Sequence, residues 1–146
     1  MHLTIDGYGC DPSYLSSEGR IRSFLEEYPK KISMSPISEP HVVTFKSEVE
    51  DDWGVSGFIL IAESHISVHT FPERRYVNVD IFSCKFFDVD LAQAEVLNVF
   101  GMENAVTNLL ERGIEYLSTD DAEDGMLGER STAASKGKSI KCNDAG

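Results

Sequence analysis

Hydrophobic and polar positions alternate strictly over much of this chain. Between Val55 and Ala62, the residues Val55, Gly57, Ile59 and Ile61 share one parity, and Ser56, Phe58, Leu60 and Ala62 share the other. A second run sets Ile66 and Val68 against His65, Ser67 and His69. A third, Tyr76 to Cys84, sets Val77, Val79 and Ile81 against Asn78, Asp80, Phe82 and Cys84. Successive side chains of a strand point to opposite faces, so each run predicts a strand with one aliphatic and one mixed polar face. His2 to Tyr8 reads the same way, with Leu3 and Ile5 on one side, and is broken by Gly7, Gly9 and Pro12. His41 to Lys46 is a further short strand. Two stretches carry helical spacing instead: about Tyr14 to Tyr28, with Leu15, Ile21, Phe24, Leu25 and Tyr28 in a stripe and Pro29 as the stop, and about Leu91 to Phe100, closed by Gly101. Lys30 to Pro40 reads as a connection. Ala105 to Leu110 and Ile114 to Leu117 are short apolar pieces, one of them an edge strand.

If these strands pair, their aliphatic faces must be covered by the helices. The expected fold is α+β, an antiparallel sheet of four or so strands with two helices on one face. The opposite face would bring Ser56, Ser64, His69 and Cys84 towards one wall, beside Phe58 and Phe82. Serines, histidines and a thiol make poor core and poor solvent surface, and they suit the lining of a site. Glu63-Ser64-His65, between two strongly apolar runs, offers a core nothing and needs another reason.

At 146 residues the chain suffices for one domain. A composition change after Ser118 divides it into a domain over residues 1–119 and a Gly, Ser and Lys-rich tail, 120–146, expected to be disordered. The formal charge of −12 argues against nucleic acid and against an anionic membrane surface, and suits a cationic ligand. No apolar run has the length of a membrane span, and Met1-His2-Leu3 does not open a signal peptide. Cys10, Cys84 and Cys142, odd in number and widely spaced, suggest a reducing cytoplasm with no disulfide framework and no metal site.

Glu63-Ser64-His65 followed by His69-Thr70-Phe71-Pro72-Glu73, with Gly54-Val55-Ser56-Gly57 before and Asp80-Ile81-Phe82-Ser83-Cys84 after, resembles the short prokaryotic S-adenosylmethionine decarboxylase proenzymes, which are pyruvoyl-dependent. The resemblance runs over roughly residues 1–117 in order and spacing. It implies self-cleavage between Glu63 and Ser64, with Ser64 becoming an N-terminal pyruvoyl group and no external cofactor. It also implies that Ser56 and His69 serve the processing step, His69 as base, that Cys84 is the proton donor in decarboxylation, and that the substrate amine is held as a Schiff base. Phe71 and Glu73 would contact the substrate, as would the aromatic segment before Gly54, here represented by Trp53. Two copies would stack their polar faces into a four-layer αββα homodimer with sites between the protomers.

The residues support this chemistry on general grounds. A serine hydroxyl attacks the preceding carbonyl when the backbone is held in near-attack geometry and the oxyanion is stabilised. A neutral imidazole is suited to removing the α-proton. Taken singly, Ser64 is equally a turn residue, His69 a structural histidine and Cys84 a small hydrophobe; only their ordered joint occurrence points to catalysis. His65 and Ser67 gain less from it. Glu48-Val49-Glu50-Asp51-Asp52 departs from the family pattern. It is either a solvated loop or a set of carboxylates selecting a basic amino acid, so S-adenosylmethionine stands as the expected substrate with arginine or ornithine as alternatives. A non-catalytic binding domain is the remaining reading. The expected role is supply of the aminopropyl donor for polyamine (spermidine) synthesis.

Overall fold

The computed structural model describes residues 1–49, 51–112 and, as backbone, 138–141. Its elements are β1 (His2–Tyr8), α1 (Pro12–Leu15), α2 (Glu18–Lys31), β2 (His41–Lys46), β3 (Trp53–Ile61), β4 (Ser64–Phe71), a 3-10 turn (Pro72–Arg74), β5 (Tyr76–Phe82), α3 (Val89–Phe100), β6 (Asn104–Leu110) and β7 (Lys138–Lys141). All neighbouring strands are antiparallel, in the order β2-β3-β4-β5-β1-β6-β7. The α+β architecture is the expected one, with more strands than expected and with three helices.

The alternation decides which face is buried. Leu3, Ile5, Val55, Ile59, Ile61, Ile66, Val68, Val77, Val79 and Ile81 are all buried on the helical side. Burial of each such side chain stabilises the fold by about 1.5–3 kcal/mol relative to exposure. Leu15, Ile21, Leu25, Tyr28, Ala92, Val96 and Phe100 cover them from the helices. Phe24 stacks on Tyr28 at 4.7 Å and meets the edge of Phe100 at 5.0 Å. The Tyr28 hydroxyl donates to the Ala92 carbonyl at 2.8 Å, tying α2 to α3. Gly57 is needed for this packing: a Cβ there would lie 2.9 Å from the Leu25 side chain.

Two expectations are corrected. The single helix from Tyr14 to Tyr28 is two helices, because Ser16 and Ser17 supply a break and a new cap: the Ser17 hydroxyl accepts from the Arg20 N–H, as Asp11 accepts from Ser13 at the start of α1. Pro29 does not stop α2, which runs two residues further; a proline in the last turn forfeits one hydrogen bond, and here its ring is buried. Residues 138–141 pair with β6, whose open edge offers backbone hydrogen bonds that need no side-chain pattern. Ile114 to Leu117 and the rest of the tail lie outside the described residues.

Among the described residues no helix covers the second face of the sheet. Tyr8, Val43, Phe45, Phe58 and Leu60 stand exposed on it, Phe45 at 56 %.

Candidate active site

Ile61 pairs with Ser64, so Ala62 and Glu63 form a two-residue turn between β3 and β4. Glu63 has φ +70°, a left-handed conformation that costs a residue with a Cβ about 1–2 kcal/mol. Surrounding contacts hold it. The Ala62 N–H donates to the Ser35 carbonyl at 2.9 Å, the Glu63 carboxylate lies 3.2 Å from Lys85 Nζ, and the Ser64 hydroxyl accepts from the Cys84 N–H at 2.9 Å. Cys84 follows the end of β5 in a bend and is half-buried. A serine hydroxyl held beside a residue in a strained backbone conformation is the kind of arrangement an N-to-O acyl shift requires.

At the far end of the same hairpin, Ser56 and His69 are directly opposite one another, with Ser56 Oγ 2.9 Å from His69 Nδ1. On the other side His69 faces Asn78, whose amide donates to Asp6 Oδ1 at 2.5 Å and to the Tyr76 hydroxyl at 2.6 Å. Burial, the largest influence, and the Asp6 carboxylate push the Tyr76 phenol up to about 12, and its hydroxyl donates to Asp6 Oδ1 at 3.2 Å. Phe71 packs on Tyr76 with ring centres 5.5 Å apart, and Trp53 Nε1 donates to Glu73 Oε1 at 3.2 Å. Trp53 and Glu73, with Pro12, Ser13, Pro72 and Arg75, line an open cavity of about 450 Å³. A second cavity, about 340 Å³, lies on the helical side of the Glu63 turn beside Met34, Ala62, Ser83, Lys85 and Phe86.

The candidate residues therefore form two groups, not one wall. Ser64, Glu63 and Cys84 lie at one end, and Ser56, His69, Phe71, Glu73 and Trp53 at the other, separated along β3 by five residues or about 16 Å. The expectation of a single wall failed for two reasons. Ser64 shares the parity of Ile66 and Val68, not that of His69, and Cys84 is past the last residue of β5.

The alternation also carries residues that were not singled out. Asp6 and Tyr8 share the polar parity of β1, as do Tyr76 and Asn78 on β5. His2, His65 and Arg112 surround Phe82, with the Arg112 guanidinium 4.3 Å from the ring centre. Burial lowers the His2 pKa from its ordinary value, opposed by the Asp80 carboxylate at 3.5 Å. Cys10 is buried and its thiol pushed up to about 11, chiefly by burial, which marks it as structural. Of the acidic segment, Glu48, Asp51 and Asp52 occupy the β2–β3 turn, Asp51 at φ +65°. Among the described residues no set of three His, Cys, Asp or Glu side chains is placed to hold a metal ion, and no helix is long and apolar enough to cross a membrane.

Residues 1–113 match the model of the family described as S-adenosylmethionine decarboxylase. The chain belongs to that family. It is 33% identical over 115 residues to the S-adenosylmethionine decarboxylase proenzyme of Pyrococcus horikoshii, covering 78% of each chain. With the proenzyme of Geobacillus kaustophilus it is 28% identical over 122 residues, 84% of this chain and 94% of the relative. The crystal structure of the adenosylmethionine decarboxylase from Aquifex aeolicus superposes with a TM-score of 0.65 at 29% identity, over 77% of this chain and 89% of that one. The match confirms the expected family and its α+β fold; it covers both ends of the β3–β4 hairpin.

Proposed function

We propose that this protein is a self-processing decarboxylase of S-adenosylmethionine whose catalytic ketone is made from Ser64. The observation that carries the reading is the Glu63–Ser64 bond itself, set on a left-handed turn with the serine hydroxyl fixed by the Cys84 amide. Ser64 Oγ attacks the Glu63 carbonyl carbon, the C–N bond breaks, the serine nitrogen takes up the hydroxyl proton, and the amide becomes an ester. His69 then removes the Ser64 α-proton as the Cβ–O bond breaks, releasing Glu63 as a carboxylate. The dehydroalanine left behind takes up water and loses ammonia, which yields the pyruvoyl group. That group fits the site, because Ser64 begins a strand and stays anchored by β3 once the turn is cut. When present, it supplies an electron sink for loss of carbon dioxide from an α-amino acid. Cys84 Sγ–H delivers the proton that the substrate's α-carbon requires. The role asks for Cys84 as a free thiol, which suits a cytoplasmic enzyme.

One protomer does not bring His69 to Ser64. Two copies stacked through their open polar faces about a two-fold axis perpendicular to the strands would, since that axis exchanges the two ends of the hairpin. We therefore read the active unit as an αββα homodimer in which His69 and Ser56 of the partner subunit act on Ser64. The exposed Tyr8, Phe45, Phe58 and Leu60 would be buried by it. Phe71, Glu73 and Trp53 travel with His69, which sets a stacking ring and a carboxylate beside the new ketone for the adenine, the ribose hydroxyls and the sulfonium charge. The product is an aminopropyl donor for polyamine synthesis.

The test is release of labelled carbon dioxide from carboxyl-labelled S-adenosylmethionine, arginine and ornithine by the processed protein, offered separately. Release from S-adenosylmethionine alone is expected. Release from arginine or ornithine instead would assign the acidic residues Glu48, Glu50, Asp51 and Asp52 to substrate selection and overturn the reading.

A further inference from the structure

Two consecutive residues of one loop grip two consecutive residues of another. The Cys84 N–H holds Ser64 Oγ at 2.9 Å, and Lys85 Nζ lies 3.2 Å from the Glu63 carboxylate. We propose that Lys85 is a positioning residue for the cleavage: its ammonium keeps Glu63 in the left-handed conformation that presents the Glu63 carbonyl to the serine hydroxyl. This inference rests on the self-processing reading above.

The second place of a two-residue turn with positive φ suits glycine or asparagine. Glutamate has neither the missing Cβ of the one nor the short amide of the other. The conformation must be held from outside, and the Glu63 carboxylate is the available handle. The loop that grasps it is itself anchored. Ser83 is buried, its N–H donates to the Met1 carbonyl at 2.9 Å, its hydroxyl donates to the Lys85 carbonyl at 2.8 Å, and it accepts from the Lys85 N–H at 3.0 Å. The ammonium thus extends from a fixed backbone, not from a mobile arm. After cleavage Glu63 carries a second carboxylate, its new chain end, and Lys85 offsets the repulsion between the two.

The contact is open to water, with the lysine side chain 58 % exposed. Its effect on the rate is accordingly modest and is screened by salt. The experiment follows conversion of freshly purified full-length chain into two fragments by denaturing gel and intact mass. The chains compared are the wild type, Lys85→Met, Lys85→Arg, Glu63→Gln and the Lys85→Met/Glu63→Gln double variant. Lys85→Met is expected to slow cleavage roughly two- to fivefold, and Glu63→Gln by a similar factor, the size of a partly exposed ion pair. The double variant should be no slower than either single one, and Lys85→Arg should stay near the wild-type rate. Added salt should slow the wild type and leave Lys85→Met unchanged. Cleavage of Lys85→Met at the wild-type rate, Lys85→Arg as slow as Lys85→Met, or multiplying effects in the double variant would each overturn the inference alone. A wild-type chain left uncut at Glu63–Ser64 would overturn the self-processing reading, and this inference with it.

Discussion

The separation of Ser64 from His69 can be tested by mixing two defective chains. On the proposed mechanism Ser64→Ala lacks the bond-forming hydroxyl and His69→Ala lacks the base, so neither alone is expected to yield the pyruvoyl fragment. A base acts on a proton at hydrogen-bond distance, about 3 Å. The hairpin holds the two side chains about 16 Å apart, five strand residues of a rigid sheet. If the site lies within one protomer, no combination of the two variants contains an intact one. If it is built across a two-fold interface, each mixed dimer holds one site in which both defects coincide and one in which neither occurs. Random assembly makes about half of all dimers mixed, so about one quarter of all sites are intact. The two variants, co-produced with different tags and analysed by denaturing gel and mass spectrometry, are therefore expected to yield the keto-terminated fragment from about half of the His69→Ala chains and from none of the Ser64→Ala chains. Absence of that fragment in a mixture shown by sequential tag purification to contain mixed dimers would refute assembly of the site in trans.

Other expectations follow from the packing. Gly54→Ala places a Cβ 1.7 Å from the Thr70 carbonyl oxygen, a clash between backbones that no rotamer relieves; it should cost about 3 kcal/mol or more and lower Tm by roughly 10 °C in a Ser64→Ala background, read by thermal melting. Tyr28→Phe deletes the buried bond to the Ala92 carbonyl and should lower stability by about 1–2 kcal/mol in urea unfolding, with the fold unchanged by circular dichroism. The depressed pKa of His2 sets a sign for acid sensitivity. As pH falls through its ordinary value of 6.5, the unfolded chain takes up a proton that the folded imidazole, buried beside Arg112 and His65 and only partly compensated by Asp80, resists; stability should fall with pH there, and His2→Gln should flatten that slope.

The sheet was legible because its signal is local. Period-two alternation with one aliphatic parity needs nothing beyond neighbouring residues, and Val77, Val79 and Ile81 went to the core as their spacing required. The start of β4 was not, since Ser64 reads as a turn residue until its pairing with Ile61 is known. The break between α1 and α2 was written in Ser16 and Ser17, but the apolar stripe runs across both helices and hides it. Which site residues meet was not legible at all. Ser56, Ser64, His69 and Cys84 are close in sequence order and in kind, and only register separates them: a shift of one residue changes the face, and five residues change the end of the sheet. Lys85 escaped notice because a lysine after a cysteine carries no pattern; its meaning comes from Glu63, twenty-two positions earlier, across the β4–β5 pairing.

Under the proposed cleavage at Glu63–Ser64, the order of the strands requires that the chain fold first and holds it together afterwards. That cut would separate β1, β2 and β3 from β4, β5, β6 and β7. In the sheet these pieces alternate: β3 pairs with β4, and β1 lies between β5 and β6. The grip of Cys84 and Lys85 on the turn exists only after β5 has paired with β4, a contact that lies wholly in the second piece. β5 in turn is flanked by β1 of the first piece, through the register Leu3 with Ile81 and Ile5 with Val79. The held turn thus depends on strands from both sides of the bond proposed to break, so the unfolded chain lacks the contacts the cleavage is proposed to use. Once the bond is broken, the two pieces remain interleaved through three strand pairings, and the separated ends of the turn stay where the chemistry left them.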